Sequence, residues 1–325
     1  MKPLLFLAAL AVMLVGCVEA APSVFEPAGP PARSIAQLGW IFIILGTLVF
    51  LGTMGYLAYA LFRKRPRAED RHGGTGVVIG AGIIFPALVV LVLFILNTNV
   101  LGQVTTPSEE DAALVVEVSG RQWWWEVHYP EHQFYTANEI HIPVGQPVLL
   151  RLTTEDVIHS FWVPELHGKM DLMPERINTF WIQADREGVF MGECAEYCGT
   201  QHAKMLFTVV AESQANFDSW IARNQQAAAA PREPRVQRGQ EVFLSNNCIT
   251  CHAIRGTDAT GELGPDLTHL MSRQTIGAGI LPLNRANLSG WISNPQGIKP
   301  GAKMPASDIS SDDLNALLDY LLTLE

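Results

Sequence analysis

Basic side chains are scarce in this chain: 22 lysines and arginines stand against 32 acids in 325 residues, a formal net charge of −10. Only the segment RKRPRAEDRH (63–72) gathers them, so a surface for nucleic acid is not expected. Charge of either sign is missing altogether from residues 37–62 and 73–102. Each stretch exceeds the ~20 residues that cross a bilayer, and together they predict a transmembrane hairpin. The basic connection 63–72 then lies in the cytoplasm by the positive-inside rule, and both chain ends lie outside. The acidic excess is concentrated in residues 105–230, a field suited to steering basic partners or simply a solvated surface.

The amino terminus begins with Lys2, continues through LLFLAALAVML and ends in small residues, the pattern of a secretory signal over residues 1–16. LVGC resembles a bacterial lipobox, which would make Cys17 the first mature residue and a lipidation site; cleavage after Ala20 is the alternative. Downstream of the hairpin, ALVVEVSG, EIHIPVG, PVLLRLTTE, INTFWIQA, GVFMGEC and LFTVVAE are short, β-branched or alternating, and separated by turn residues. They predict an all-β sandwich or barrel over 105–226. AAAAPREPR supplies a linker, 227–234.

Within the β segment, GECAEYCGTQHAKM brings Cys194, Cys198, His202 and Met205 into one loop, with His159 well upstream. Thiolate, imidazole and thioether together favour copper, and two thiolates in one loop can bridge two ions. A disulfide would explain neither His202 nor Met205, and structural zinc has no use for Met205. The remaining histidines, His128, His132, His141 and His167, lack such surroundings and read as structural or surface residues.

GRQWWWEVHYP (120–130), TEDVIHSFWVPEL (154–166), GKMDLMPERIN (168–178) and GECAEYCGTQHAKM (192–205) resemble cytochrome c oxidase subunit II, whose cupredoxin-like Greek-key domain carries the binuclear copper centre CuA. The resemblance implies CuA ligands His159, Cys194, Cys198, His202, Met205 and the backbone carbonyl of Glu196. It further implies that the Glu196 side chain binds magnesium at the catalytic subunit, and that electrons arrive through Trp123. Tyr197, Phe161 and Trp162 are expected to form the apolar shell. Glu175 stands where the family usually has glycine, which bears on the local turn.

The segment 235–325 contains Cys248-Ile-Thr-Cys251-His252, the attachment pattern for a covalent c-type haem with His252 as an axial ligand. Met304, followed by proline, is the candidate for the sixth ligand, with Met271 its rival. GQEVFLSNNCITCH, GELGPDL and WISNPQGIKPGAKMP resemble an all-α class I cytochrome c over nearly the whole segment. This resemblance implies that the Pro265 carbonyl accepts the His252 ring proton. The last helix is expected to start at Ser310 or Ser311, with Leu314, Leu317, Leu318 and Leu321 on one face. With these assignments no cysteine remains for a disulfide.

The order of signal, hairpin, copper domain and cytochrome is similar to subunit II of the caa3-type oxidases. That family implies a multidomain subunit of the bacterial cell membrane, its soluble domains on the periplasmic side. Electrons from a cytochrome c donor would pass through haem c and CuA to subunit I, where oxygen is reduced and protons are pumped; subunit III is a further expected partner. The alternatives are the CuA-bearing subunit of a nitric oxide reductase and an anchored carrier without a catalytic partner. The glutamate that many oxidases place near the start of the second membrane helix is replaced by uncharged residues around Val77 to Ile79.

Overall fold

The computed structural model describes residues 22–63, 74–105 and 112–325. The signal segment with Cys17 and the basic residues 64–72 lie outside the described residues. Helix α1 (Pro30–Phe62) begins ahead of the uncharged run, with prolines in its first turn after Gly29. Proline lacks an N–H that the first turn could not pair in any case, so this start is favourable. Helix α2 (Thr75–Val104) contains a π-helical turn at Gly80–Ile84, just before Pro86. A proline ring clashes with the carbonyl four residues back, and a widened turn relieves that contact. Both helices are apolar and long enough to cross a membrane, with almost none of their apolar surface buried within the chain.

The top of α1 is seated on the β domain. Ala28 N–H donates to Glu165 O at 2.7 Å, Asp185 N–H donates to Ala28 O at 2.7 Å, and Arg33 pairs with Asp185. A Cβ on Gly29 would lie 2.2 Å from the Gln183 carbonyl oxygen, so only glycine allows this approach.

Ten strands form two five-stranded sheets. They are β1 (Leu114–Arg121), β2 (Trp124–Tyr129), β3 (Phe134–Ala137), β4 (Glu139–Pro143), β5 (Val148–Thr154), β6 (His159–Trp162), β7 (Lys169–Leu172), β8 (Asn178–Ile182), β9 (Gly188–Cys194) and β10 (Leu206–Glu212). The sheet orders are β3-β2-β1-β5-β8 and β4-β10-β9-β6-β7. The β1/β5 and β10/β4 pairs are parallel and the others antiparallel. Alternating residues such as Val116, Val118, Trp125, Val127, Leu150, Phe161 and Phe207 fill the space between the sheets, the packing expected of a sandwich. Helix α3 (Gln214–Asn224) closes one end by inserting Phe217, Trp220 and Ile221.

Glu175 keeps the left-handed backbone of the turn, at φ 59°, despite its side chain. A glycine would hold this conformation without steric cost.

The carboxy-terminal domain is helical: α4 (Pro234–Ser245), α5 (Cys248–Cys251), α6 (Arg285–Ser293), α7 (Pro295–Ile298) and α8 (Ser311–Leu321), with a two-stranded ribbon of β11 (Thr275–Ile276) and β12 (Leu281–Pro282). Helices α4 and α8 cross where Gly239 meets α8: a Cβ there would lie 2.0 Å from Ala316 O. Phe243 and Tyr320 pack edge-on beside the crossing, 6.3 Å between ring centres. Ser310 caps α8, accepting from Asp313 N–H.

Candidate metal and haem centres

The β9–β10 connection is a loop closed at its base by Cys194 N–H donating to Met205 O at 3.1 Å. Cys194 ends β9, Met205 immediately precedes β10, and His159 opens the neighbouring strand β6. Register brings Phe161 opposite Cys194, so residues far apart in sequence meet at one end of the sandwich. Gly120 on β1 leaves room for the imidazole, since a Cβ there would be 2.8 Å from His159 Cδ2.

Sulfur and nitrogen atoms converge at that end. The two thiol sulfurs are 3.8 Å apart, well beyond the ~2.05 Å of a disulfide, and both cysteines are free. His159 Nδ1 is 3.7 Å from Cys194 Sγ, while His202 Nδ1 and Met205 Sδ are each 3.8 Å from Cys198 Sγ. The Glu196 carbonyl oxygen is 3.2 Å from Cys194 Sγ. His159 and Met205 are fully buried and both cysteines nearly so. A hydrogen bond from the Cys198 thiol, followed by His159, pulls the Cys194 thiol down to about 3, while Cys198, as the donor, is pushed up. The pairing favours a thiolate on one of the two sulfurs, and a soft cation would displace the remaining thiol proton. This donor set fits copper.

Around it stands a shell in which the sequence pointed to Trp123 and Phe161 but not to Asp156 or Gln122. His159 Nε2 lies 2.9 Å from Asp156 Oδ1. Burial would raise the Asp156 carboxyl, but hydrogen bonds from His159, Gln122 N–H and Val157 N–H outweigh it and hold it well below the usual carboxylate range. Trp123 Nε1 and Gln122 Nε2 both donate to the Cys198 carbonyl, at 3.0 and 2.8 Å. Phe161 is buried against Trp125 and Phe207. Tyr197 departs from expectation. It is 75% exposed, its ring touching only the edge of His202, because it sits with exposed Glu196 at the loop tip. A groove of about 680 Å³, lined in part by Trp162, His167, Cys194, His202 and Ile35, opens between this loop and the top of α1.

Two of the other histidines are paired away from this cluster. His128 pairs with Glu117 and stacks on Tyr135; His141 pairs with Glu212 and stacks on Trp220. Burial lowers His167 to about 4.

In the helical domain, His252 Nδ1 is 2.8 Å from the Pro265 carbonyl oxygen, the contact the cytochrome resemblance implied. Burial lowers the His252 pKa, so the ring is neutral and, with Nδ1–H given to Pro265, Nε2 is left with its lone pair. Cys248 and Met304 both pack, partly buried, against the domain's apolar core, beside Ile249, Leu267 and Trp291. A haem attached at Cys248 and Cys251 fits that half-open apolar surface. Met271, the rival, donates its N–H to the Leu324 carbonyl, near the chain terminus.

A two-sheet sandwich with this sulfur and imidazole cluster, joined to a helical Cys-x-x-Cys-His domain and two apolar helices, belongs to the class of cupredoxin-like domains fused to a cytochrome c. Residues 132–213 match the family described as cytochrome c oxidase subunit II, periplasmic domain, and residues 236–325 match cytochrome c. Cytochrome c oxidase subunit 2 of Alkalihalophilus pseudofirmus is 35% identical, the match covering 97% of this chain and 95% of the relative. The subunit 2 of Bacillus sp. strain PS3 is 30% identical over the same shares. The periplasmic domain of cytochrome oxidase subunit II from Bradyrhizobium japonicum covers 37% of this chain and 97% of its own, with 30% identity and a TM-score of 0.35. The chain belongs to the cytochrome c oxidase subunit 2 family, as an oxidoreductase subunit that carries its own cytochrome c domain. That family membership implies CuA copper and haem c.

Proposed function

We propose that this chain is the electron-receiving subunit of a caa3-type cytochrome c oxidase. The observation that carries this reading is the convergence of His159, Cys194, Cys198, His202 and Met205 in a family member that also bears Cys248, Cys251 and His252. When bound, copper and a covalent haem would supply one-electron chemistry at these two places.

The chain's residues hold and insulate them. Cys194, Cys198, His159, His202, Met205 and the Glu196 carbonyl would hold the copper; Cys248 and Cys251 would form the thioethers; His252 and Met304 would hold the haem iron. Asp156 and Pro265 fix the tautomers of His159 and His252. The cytochrome domain takes electrons from an external cytochrome c and hands them to the copper domain, Trp123 lying between. The copper domain delivers them to subunit I, which reduces oxygen with proton pumping. Subunit I is seated over the groove beside the copper loop, where the exposed Glu196 carboxylate offers an oxygen ligand to a shared magnesium ion. The two apolar helices anchor the chain, with the soluble domains outside the cell membrane.

The test is metal and haem analysis with EPR and optical spectra of the full chain in its assembled complex. Two coppers per chain sharing one unpaired electron, and one His/Met haem c, are expected. One copper with a blue-copper spectrum would overturn the binuclear assignment, and non-haem iron in the partner's active site would move the complex to nitric oxide chemistry.

A further inference from the structure

The copper and cytochrome domains each bury a charged side chain against the other's backbone. From the copper domain, Glu139 is 3% exposed, and its Oε1 accepts from the N–H groups of Gln274 and Thr275 at 2.6 and 3.3 Å. From the cytochrome domain, Lys299 is 3% exposed, and its Nζ donates to the carbonyls of Trp123 (2.8 Å) and Lys204 (2.6 Å), and to Gly277 of its own domain (2.9 Å). A buried polar or charged group without partners costs several kcal/mol, so the docked arrangement is tolerable only because the other domain's backbone meets each of these side chains. Either one released by separation would find water, but the paired backbone groups would lose their bonds.

Between the two charges the contact is continuous. Leu206 N–H donates to Ala278 O at 3.1 Å, Gln201 Nε2 to Pro300 O at 2.5 Å, and Lys204 Nζ to Ile298 O at 3.2 Å. The copper-domain partners here flank His202 and Met205, and the cytochrome partners lead into Met304. At the same place Gly301 lies over Trp123, where an added Cβ would be 4.0 Å from Cη2.

We infer that Glu139 and Lys299 form a reciprocal lock that fixes the cytochrome domain on the copper loop and partly shields Trp123. A free cytochrome donor is thereby excluded from the copper domain and must dock on the outward face of the tethered cytochrome. This rests on the electron-transfer function proposed above. The linker adds to the seat: Arg255 donates to the Asn224 and Gln225 carbonyls, and Ala228 N–H to Arg255 O at 2.9 Å. The tether is thus laid down on the cytochrome surface, not left as a free leash.

Hydrogen exchange and hydroxyl-radical footprinting of the intact oxidase test the lock. In the wild type the amides of Leu206, Gln274 and Thr275 should be protected, because their acceptors lie across the interface, and Trp123 should be poorly oxidised. In the Glu139→Ala/Lys299→Met double variant those amides should exchange at least tenfold faster and Trp123 oxidation should rise several-fold, with the copper and haem c spectra unchanged. Wild-type amides that exchange like open loops would overturn the lock, as would a spectrally intact double variant with wild-type protection. If the double variant fails to assemble, the wild-type exchange alone decides. Absence of the copper or haem spectrum from the wild type would instead sink the proposed function, so the two failures are distinguishable.

Discussion

Asp156 stands to His159 as the Pro265 carbonyl stands to His252: each takes the proton of one ring nitrogen and turns the other toward the place of a metal. Removing such a partner commonly lowers metal affinity ~10–100-fold. Asp156→Ala should therefore weaken copper binding by that order in competition with a chelator, and unchanged affinity would show that Asp156 has no orienting role. His167 makes a different kind of statement. Burial keeps it neutral down to about 4, whereas the unfolded chain takes up the proton near its ordinary value of 6.5. Between those values the unfolded state binds more protons, so folding stability is lost as pH falls from 6.5 toward 4, by about 3 kcal/mol in full. Thermal melts of His167→Asn should show a flatter profile over that window than the wild type. The ligand candidates were legible because copper chemistry needs rare residue types at short spacing. Asp156, Glu139 and Lys299 were not: a common acid or lysine carries no signature, and the contacts of the last two join residues more than a hundred positions apart.

Alternation of apolar residues exposed the strand around Val209, with one face to the core, whereas the strands around Val116 and Leu150, buried at consecutive residues, were legible as short β-branched or apolar runs between turns. The start of α1 was hidden by Arg33, which breaks the uncharged run yet lies in the helix, paired with Asp185 above the apolar stretch. Tyr197 misled for the opposite reason: an aromatic within a metal loop suggests shielding, but a loop tip turns its side chains outward. The α4–α8 crossing was suggested by Gly239, Phe243 and Tyr320, and its closeness is a property of the fold. Gly239→Ala would drive a methyl group into the Ala316 carbonyl, and by the usual cost of overpacking should destabilise the cytochrome domain by about 1–3 kcal/mol. Denaturant unfolding followed at the haem band measures this, and a change within ~0.5 kcal/mol, the range of a neutral surface substitution, would mean that the helices part easily.

The molecule as a whole is built of three pieces whose joints are visible only in three dimensions. Two of those pieces declared themselves by motif and one by the absence of charge, yet nothing in their sequences says how firmly they are joined. The seam at Gly29 should be as sensitive as the helix crossing. Gly29→Val cannot keep the approach to Gln183, so it should lower the melting temperature of the copper domain by several degrees and reduce recovery of the assembled complex, both measurable after detergent extraction. Unaltered melting and recovery would show the seam to be incidental.

That seam also has a metrical meaning. At 1.5 Å per residue the 33-residue α1 is about 50 Å long, against a hydrocarbon layer of about 30 Å. Its first turns, pinned at Ala28, Ala32 and Arg33 to the sandwich, must therefore stand clear of the lipid like a post. Through those contacts the copper loop is carried at a height set by the rigid helix below it.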